Sequence, residues 1–486
     1  MRIIINGAGV AGPTLAYWLR EAGHQVLLVE SAPQLRSGGY VIDFGLVGYD
    51  IAEKMGLIPR LRELGYQVRE LRFLDREGRT SASLSVDALA RLTHGRYITL
   101  RRSDLAATIY GALEGTVETI FGDSVASIEE AGACVRVGFD HALPREADLV
   151  IGADGLHSRV RQLVFGPDTG VEVSLGYHVA AFEVEGYRPR DELVYLGYGV
   201  PGRQIYRFSM REDKTLFLFV FRDEYLPAES SANDQERKSV LTNVFADVGW
   251  ECPQILAALA RVEVSLGYQA AAFEVEGYRP RDELVYVGYG APGRQIFRFS
   301  MRVDKTLVLF VFRDEYLPGE GPTNDEERKS VLTHVFADVG WECPQVLAAM
   351  ASVGNIYFDR VSQIRLDRWT KGRTALVGDA AACVSLLAGQ GSILAMAEAY
   401  VLAGELRNCG GDYGAAFARY EQRLMPLLKR KQKSAAKFAS SFAPKTAMGI
   451  AFRNLVTRLM VRLPFVVEFF LGREMRDQVE LPDYGL

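Results

Sequence analysis

The chain has 486 residues, of which 48% are hydrophobic and 24% are charged, and these proportions are ordinary for a globular protein. At about 100–200 residues per domain, the length corresponds to roughly two to four domains. The 56 basic and 61 acidic side chains give a net charge of −5, which argues against nucleic acid as a partner because nucleic-acid-binding proteins usually carry a basic excess. The five cysteines occur singly, with no C-x-x-C pair, so we expect no metal site, no disulfide framework and a cytoplasmic location.

The first predicted elements are a buried strand, a glycine-rich turn and a helix. Arg2–Asn6 has the apolar pattern of a short buried strand, and Pro13–Glu21 carries apolar residues at helical spacing. Between them, Gly7, Gly9 and Gly12 form the pattern G-x-G-x-x-G. In such a turn the first glycine permits the tight bend, the second lets the backbone approach a pyrophosphate, and the third allows the helix to pack close to the strand.

A second strand completes this unit. Gln25–Val29 has a buried-strand pattern and is followed by Glu30, 18 residues after Gly12, where a carboxylate can accept hydrogen bonds from a ribose. The strand–turn–helix–strand order predicts a Rossmann-like dinucleotide-binding domain, with the phosphates at the N-terminus of the helix. The alternative is a tight turn in an α/β protein that binds no ligand. This motif alone does not distinguish FAD from NAD.

Further motifs of glycine and aspartate follow two later strands. The segments that begin at Asp148 and Thr374 have strand patterns, and a helical stretch ends at Leu406. An aspartate at the carboxyl end of a strand can reach a ribityl or ribose hydroxyl, and a glycine-rich turn that opens a helix presents N–H groups to an anion or a carbonyl. The motifs are Asp154-Gly155, Gly378-Asp379 and Gly389-Gln390-Gly391.

An internal duplication occupies the middle of the chain. Val171–Arg261 and Val262–Ser352 are both 91 residues long, align without a gap and are identical at 75 positions. Each copy predicts several strands rich in β-branched and aromatic residues, followed by helix. Because there are only two long and little-diverged copies, the pattern indicates a duplicated gene segment rather than a solenoid.

Taken together, these motifs resemble those of the flavin-dependent monooxygenases of the p-hydroxybenzoate hydroxylase class, over the whole chain except one copy of the repeat. The resemblance implies that FAD is bound by the glycine-rich turn, by Glu30 and by the three later motifs. The stretch from Arg36 to Asp43 also resembles the segment of the tetracycline-inactivating members that lies by the flavin, which implies cofactor contacts for both residues.

Single positions extend the resemblance and limit it. The family's Arg-x-x-Leu, whose arginine contacts FAD, fits Arg102 with Leu105 better than it fits Arg101, which implies that Arg102 contacts the cofactor. The chain departs from the family at Ala382, where many members have His, and at Ile393, where many have Asn. Both departures lie where the family places the flavin ring.

The expected architecture is α/β: a Rossmann-like FAD-binding domain, a mixed β-sheet substrate domain that is partly duplicated, and a C-terminal helical region. We predict an FAD-binding domain over 1–170, with some substrate-domain strands around 67–100, and its completion over 353–425. The two copies, 171–261 and 262–352, would belong to the substrate domain, and 426–486 would form the helical region.

The resemblance implies an FAD-dependent monooxygenase, that is, a hydroxylase. In this family NAD(P)H reduces FAD, and O₂ then forms a flavin hydroperoxide that transfers one oxygen atom to an aromatic or polyketide-like small molecule. Because the cofactor carries this chemistry, we nominate no catalytic side chain. Two alternatives stay open: a non-oxygenating flavoprotein oxidoreductase, and a catalytically inactive FAD-fold binding protein whose duplicated domain blocks the site. A related halogenase would carry Trp-x-Trp-x-x-Ile, which none of the four tryptophans forms.

The C-terminal segment Met448–Leu471 is apolar but is interrupted by Arg453, Arg458 and Arg462, so we expect no transmembrane helix. Such a segment can lie on a bilayer surface, although packing against the body of the protein is the more common arrangement. We therefore expect a small aromatic substrate and O₂ as partners, and no membrane. The sequence does not indicate an oligomeric state.

Overall fold

The structure is a computed structural model of the chain. It describes residues 1–35, 41–66, 68, 70–74, 80–85, 93, 95–167, 171–185, 194–200, 203–209, 214–221, 285–291, 294–300, 306–313, 325–339, 347, 357–385, 389–442, 446, 448–449, 451–452, 454–456 and 481–485. Arg36 and the predicted helices of the first repeat copy lie outside these residues.

The described elements are strands and helices distributed along the whole chain. The strands are β1 Arg2–Asn6, β2 Gln25–Glu30, β3 Val41–Gly45, β4 Glu70–Leu74, β5 Thr80–Ser85, β6 Tyr97–Arg101, β7 Glu118–Phe121, β8 Val125–Ala131, β9 Cys134–Phe139, β10 Arg145–Ala147, β11 Leu149–Gly152, β12 Glu172–Glu185, β13 Val194–Val200, β14 Arg203–Ser209, β15 Lys214–Phe221, β16 Val285–Ala291, β17 Arg294–Ser300, β18 Thr306–Arg313, β19 Tyr357–Ile364, β20 Thr370–Lys371 and β21 Thr374–Leu376. The helices are α1 Ala11–Glu21, α2 Leu46–Lys54, α3 Ile58–Leu64, α4 Arg102–Gly111, α5 Arg159–Phe165, α6 Asp325–Val335, α7 Asp379–Ala382, α8 Gly391–Asn408 and α9 Tyr413–Phe442.

A six-stranded sheet joins β1, β2, β7 and β11 to β20 and β21 from much later in the chain, in the order β20-β21-β11-β1-β2-β7. All its pairings are parallel except that of β20 with β21. The run Ile3-Ile4-Ile5 in β1 is buried, as expected for a central parallel strand whose two faces are both covered. This arrangement confirms the predicted α/β fold with its Rossmann-like unit.

Helix α8 is buried in the core beside α1. Every residue from Ser392 to Leu406 is buried, and Tyr400 packs edge-on against Trp18 of α1 with ring centroids 5.0 Å apart. A helix that is apolar nearly all round is typical of a core position rather than of a surface. Because α8 begins at the predicted Gly-Gln-Gly motif, its packing fixes that motif relative to α1 and the parallel sheet.

A ten-stranded mixed sheet contains the described strands of both repeat copies, in the order β19-β12-β15-β18-β17-β14-β13-β16-β4-β5 with additional pairings between the copies. Strands β13–β15 belong to the first copy, and β16–β18 are their equivalents in the second. Both β13 and β16 pair in parallel with β4 at one register, because Val194 and Val285 each lie opposite Glu70. One edge of a strand can pair with a single partner at a given register, so the equivalent strands of the two copies are alternatives for the position beside β4.

The second copy is tied to its own helix. Arg294, which is 3% exposed, donates hydrogen bonds to the Val335 carbonyl oxygen (2.7 Å) and to the Asp338 carboxylate (2.8 and 3.2 Å). Phe310 and Phe312 pack against the ring of Phe336. The first copy carries the same residue types at the equivalent positions, which are Arg203, Val244, Asp247, Phe219, Phe221 and Phe245.

The C-terminal part begins with the 30-residue helix α9, which contains Pro426 and runs through the predicted boundary between 425 and 426. Residues 481–485 return to α8: the Tyr484 hydroxyl donates to Glu405 (2.7 Å), and Arg407 donates to the Gly485 carbonyl oxygen (2.6 Å). Within the described part of the chain, we find no helix with the length and apolar character needed to cross a membrane.

Candidate cofactor site

The predicted motifs meet at the carboxyl ends of the parallel strands. Gly7 follows β1, and its N–H donates to the Val29 carbonyl oxygen of the adjacent strand at 2.6 Å. Gly7 has φ +110°, and a Cβ there would lie 2.7 Å from the Ala153 carbonyl carbon and 2.8 Å from the Asp154 Cα atom. Only glycine fits this conformation and this contact, which places the first glycine directly against the Asp154-Gly155 motif.

The other two glycines of the turn have different surroundings. A Cβ on Gly12 would overlap the Gly7 carbonyl oxygen, so this glycine lets α1 begin against the end of β1. A Cβ on Gly9 would have a single neighbour within 4 Å, the Arg102 Nη2 atom at 4.0 Å. Gly7 and Gly12 therefore serve the packing of the chain, whereas Gly9 leaves backbone open beneath an arginine.

Arg102 adds positive charge to this open backbone. It is the first residue of α4, which follows β6, and its guanidinium lies over the glycine turn where α1 starts. The N-terminus of α1 also presents N–H groups and the positive end of the helix dipole. The combination of an open glycine, a helix N-terminus and an arginine suits a pyrophosphate.

Glu30 lies where the sequence predicts a ribose contact. Its carboxylate is 7% exposed, and it accepts hydrogen bonds from the Ala8 N–H (2.8 Å), the Ala32 N–H (2.9 Å) and the Ser31 hydroxyl (3.2 Å). These bonds hold the end of β2 against the glycine turn. The carboxylate is thus fixed beside the proposed pyrophosphate position.

The Asp154 carboxylate is bonded on both oxygens by protein groups. It accepts hydrogen bonds from the Asn6 side-chain amide (3.0 Å), the Val160 N–H (3.1 Å) and the Ser158 hydroxyl. Burial raises the pKa of this carboxyl. The aspartate fixes the loop between β11 and α5, and its predicted contact with a ribityl or ribose hydroxyl stays a prediction. Gly155 follows with φ +82°, and a Cβ there would meet nothing within 4 Å.

The Gly378-Asp379 motif is held by a buried acid that sequence reasoning missed. The Gly378 N–H donates to Glu398 Oε2 at 2.8 Å, and the Tyr420 hydroxyl lies 3.2 Å from the same oxygen. Glu398 is 1% exposed, and its burial together with the neighbouring Asp379 charge raises its pKa well above the ordinary value. Gly378 has φ +65°, and a Cβ there would lie 3.1 Å from Ala11 Cβ, so this loop touches the start of α1.

The Gly-Gln-Gly motif adjoins the same loop. A Cβ on Gly391 would lie 3.8 Å from Asp379 Oδ1, Gly389 is exposed with φ +63°, and Gln390 immediately precedes α8. The family departure Ile393 is buried, and its Cα lies 3.2 Å from where a Cβ on Gly48 would stand, so it packs against α2. The other departure, Ala382, is buried as well.

Asp43 lies on a small two-stranded sheet, opposite Thr99 in the antiparallel pairing of β3 with β6. Its Oδ1 accepts hydrogen bonds from the Tyr97 hydroxyl and from the Thr99 hydroxyl (2.9 Å). The side chain reaches solvent on one side, yet surrounding protein removes enough solvation to raise the pKa values of both Asp43 and Tyr97. Tyr97 was not predicted as a site residue.

Comparison with known proteins identifies the family. The FAD binding domain family matches residues 1–254 and 267–412, so the chain belongs to that family. The break between the matched ranges spans the junction of the two copies, at Arg261 and Val262. An uncharacterized protein of Mycobacterium tuberculosis is 33% identical over 434 residues, covering 88% of this chain and 91% of that protein.

Two further matches carry an activity in their names. A flavin-dependent monooxygenase of Legionella longbeachae is 27% identical over 445 residues, covering 92% of this chain and 90% of that protein. The crystal structure of tetracycline destructase Tet(51) is 25% identical, with a TM-score of 0.62 over 95% of this chain and 97% of that one. With the family match, these findings show an FAD-dependent monooxygenase, which acts on a small molecule with O₂. NAD(P)H is the family's usual reductant.

Proposed function

We propose that this monooxygenase hydroxylates an aromatic or polyketide-like small molecule. The observation that carries the proposal is the convergence of four predicted motifs at one end of the parallel sheet. Tetracycline destructase Tet(51), a structural neighbour over nearly the whole chain, bears the name of an enzyme that acts on a polycyclic polyketide. The singly spread cysteines support a cytoplasmic location for the reaction.

The proposed cofactor contacts divide by their chemistry. The backbone at Gly9, the α1 N-terminus and the Arg102 guanidinium would bind the pyrophosphate, and Glu30 the ribose. FAD, when bound, supplies the redox chemistry by which O₂ is activated. Gly7 and Gly12 would shape the turn that holds the cofactor, and the remaining contacts are proposed for Arg36, Asp43, Asp154, Gly155, Gly378, Asp379, Gly389, Gln390 and Gly391.

The protein side chains around this site hold its loops and polar groups in place and do not themselves react. Glu398 holds the Gly378 N–H, which orients the loop between β21 and α7 toward α1. Tyr97 and Thr99 hold Asp43 in one orientation, so that its second carboxylate oxygen can accept a hydrogen bond from the flavin or the substrate. The substrate domain, proposed to include both repeat copies, would cover the face of the ring that the FAD-binding domain leaves open.

A reduction experiment under anaerobic conditions tests the proposed function. The purified protein should be yellow, and NAD(P)H should bleach it faster in the presence of an accepted phenol or polyketide than without one. Admission of ¹⁸O₂ should then give a product that contains one ¹⁸O atom. A colourless protein would support the inactive binding protein, and reoxidation that yields only hydrogen peroxide with every compound would support the non-oxygenating flavoprotein.

A further inference from the structure

The C-terminal part of the chain has a strongly uneven charge. Between Glu421 and Glu468, 46 residues contain ten basic side chains and no acidic one. Since the whole chain carries −5, this stretch of +10 leaves −15 for all other residues. The basic residues are Arg423, Lys429, Arg430, Lys431, Lys433, Lys437, Lys445, Arg453, Arg458 and Arg462.

Large apolar side chains are exposed within the same stretch. Met448 is 82% exposed, Phe452 67% and Leu455 52%. Their spacing of four and then three residues places them on one face of a helix, and the described residues around them are helical. Among the described residues the other exposed large hydrophobic side chains are Leu143 (84%) and Leu163 (43%), and these lie far away in the sequence. Residues 457–471 of the segment lie outside the described residues, so its expected packing against the body stays a prediction.

Helix α9 contributes exposed cations just before this apolar face. Arg430 and Lys433 are exposed and stand three residues apart, which places them on one side of the helix. Lys429 is half-exposed and lies 3.1 Å from the Asp367 carboxylate. These exposed cations of α9 and the exposed apolar side chains that follow it in the sequence are together named the basic-apolar surface: Arg430, Lys433, Met448, Phe452 and Leu455.

We propose that the basic-apolar surface docks on the face of an anionic lipid bilayer. The cations are attracted to anionic head groups, and the apolar face of an amphipathic helix inserts between the head groups and the acyl chains. Nucleic acid would satisfy the cations but has no apolar layer to receive Met448 and Phe452. The net negative charge of the rest of the chain favours an orientation in which only this surface faces the lipid.

Vesicle flotation of the full chain tests the proposal. The protein should float with vesicles of phosphatidylcholine that contain about one-third phosphatidylglycerol, and it should stay in solution with phosphatidylcholine alone. Raising the salt to about 0.5 M should weaken the binding, because the Debye length shortens to a few ångströms. Equal binding to both vesicles, binding to neither, or stronger binding to duplex DNA than to the anionic vesicles would overturn the proposal.

Paired variants separate the two contributions. Arg430→Gln and Lys433→Gln should each weaken the partition to anionic vesicles about fivefold, which corresponds to about 1 kcal/mol per cation near an anionic surface. Met448→Ser with Phe452→Ser should weaken it by at least as much. The matched controls are Arg60→Gln for an exposed cation and Leu143→Ser for an exposed apolar side chain, and both should bind as the parent does.

Two further results would overturn the docking proposal. If either control lowers the partition as much as its test variant does, the binding does not occur through this surface. Thermal melting of every variant excludes unfolding as the cause of a loss. A sedimentation experiment in which Phe452→Ser changes the oligomeric state, and not the lipid binding, would assign the surface to contacts between copies of the chain and would overturn the docking proposal.

Discussion

The glycine turn at the start of the chain and the duplicated strands in its middle differ in how strictly the structure determines which residue occupies a position. Gly12 fits one position, because any side chain there would overlap the carbonyl oxygen of Gly7. Val194 and Val285, by contrast, stand opposite the same residue, Glu70. In the glycine turn only one residue type fits the position. Beside β4, two equivalent strands fit the same position.

A segment takes one position in a fold when its sequence differs enough from that of any competing segment. Strand register is specified where neighbouring residues differ enough to penalise the alternatives. The two copies are identical at 75 of 91 positions, so almost every contact available to one is available to the other. The ion pair of Arg294 with Asp338 has its counterpart residues in Arg203 and Asp247. We therefore expect the two copies to be nearly equal in free energy for the position beside β4.

The largest effect on stability should come from a substitution in the glycine turn, where only glycine fits. Gly12→Ala places a methyl group on the Gly7 carbonyl oxygen, and the two groups cannot separate without a backbone shift that moves α1. We expect a loss of about 3 kcal/mol or more in the free energy of unfolding, measured by denaturant titration. The control is Gly111→Ala, at a helical glycine with nothing within 4 Å of a Cβ, which should not destabilise. Equal stability of the two variants would contradict the contact.

Gly9→Val sharpens the comparison by separating folding from binding. The protein offers no atom closer than the Arg102 Nη2 at 4.0 Å to a Cβ at this position, so the variant should fold with nearly parental stability. The side chain would stand where the pyrophosphate has to approach the backbone, and FAD affinity should fall at least 100-fold. Flavin fluorescence during titration measures it. A folded variant with full flavin would remove this turn from the cofactor site.

Glu398→Gln tests the buried acid that holds the Gly378 loop. Because its pKa is raised above 4.5, the folded protein keeps a proton that the unfolded chain releases. The free energy of unfolding therefore falls as the pH rises from about 4.5 through the folded-state pKa, by at most about 1.4 kcal/mol per pH unit. Glutamine does not titrate, so the variant should gain stability relative to the parent between pH 5 and pH 8. A difference that does not change with pH would contradict a buried, protonated Glu398.

The smallest effect should come from removing one copy. Deleting Val262–Ser352, or deleting Val171–Arg261 instead, leaves 395 residues and one copy for the position beside β4. Because every proposed cofactor contact lies outside the repeat, both shortened chains should bind FAD within about twofold of the parent affinity. Both should also keep the parent's activity toward the same substrate. If neither deletion folds, the two copies form one interdependent unit.

The sequence predicts local units well and long-range partners poorly. Strand β1 has the predicted bounds, and α1 starts two residues before the predicted Pro13, because strand and helix periodicities are properties of neighbouring residues. Glu398 and Tyr97 were missed because their roles depend on Gly378 and Asp43, which are distant along the chain. A signal for Glu398 did exist: it is the one charged residue in the otherwise apolar first 14 residues of α8, and a buried acid requires a partner.

Residues 481–485 pack against α8, so the C-terminal part of the chain has two anchors: helix α9 and this contact. Helix α9 ends at Phe442, and the Tyr484 ring fills the space left by Gly404, where any Cβ would overlap it. A protease that cuts once between these anchors would leave both fragments attached through packing and hydrogen bonds. The anchor at Gly404 is 13 residues along α8 from Gly391, a distance of about 20 Å along a helix axis. The contact of Tyr484 with α8 is therefore remote from the cofactor loop at the start of the same helix.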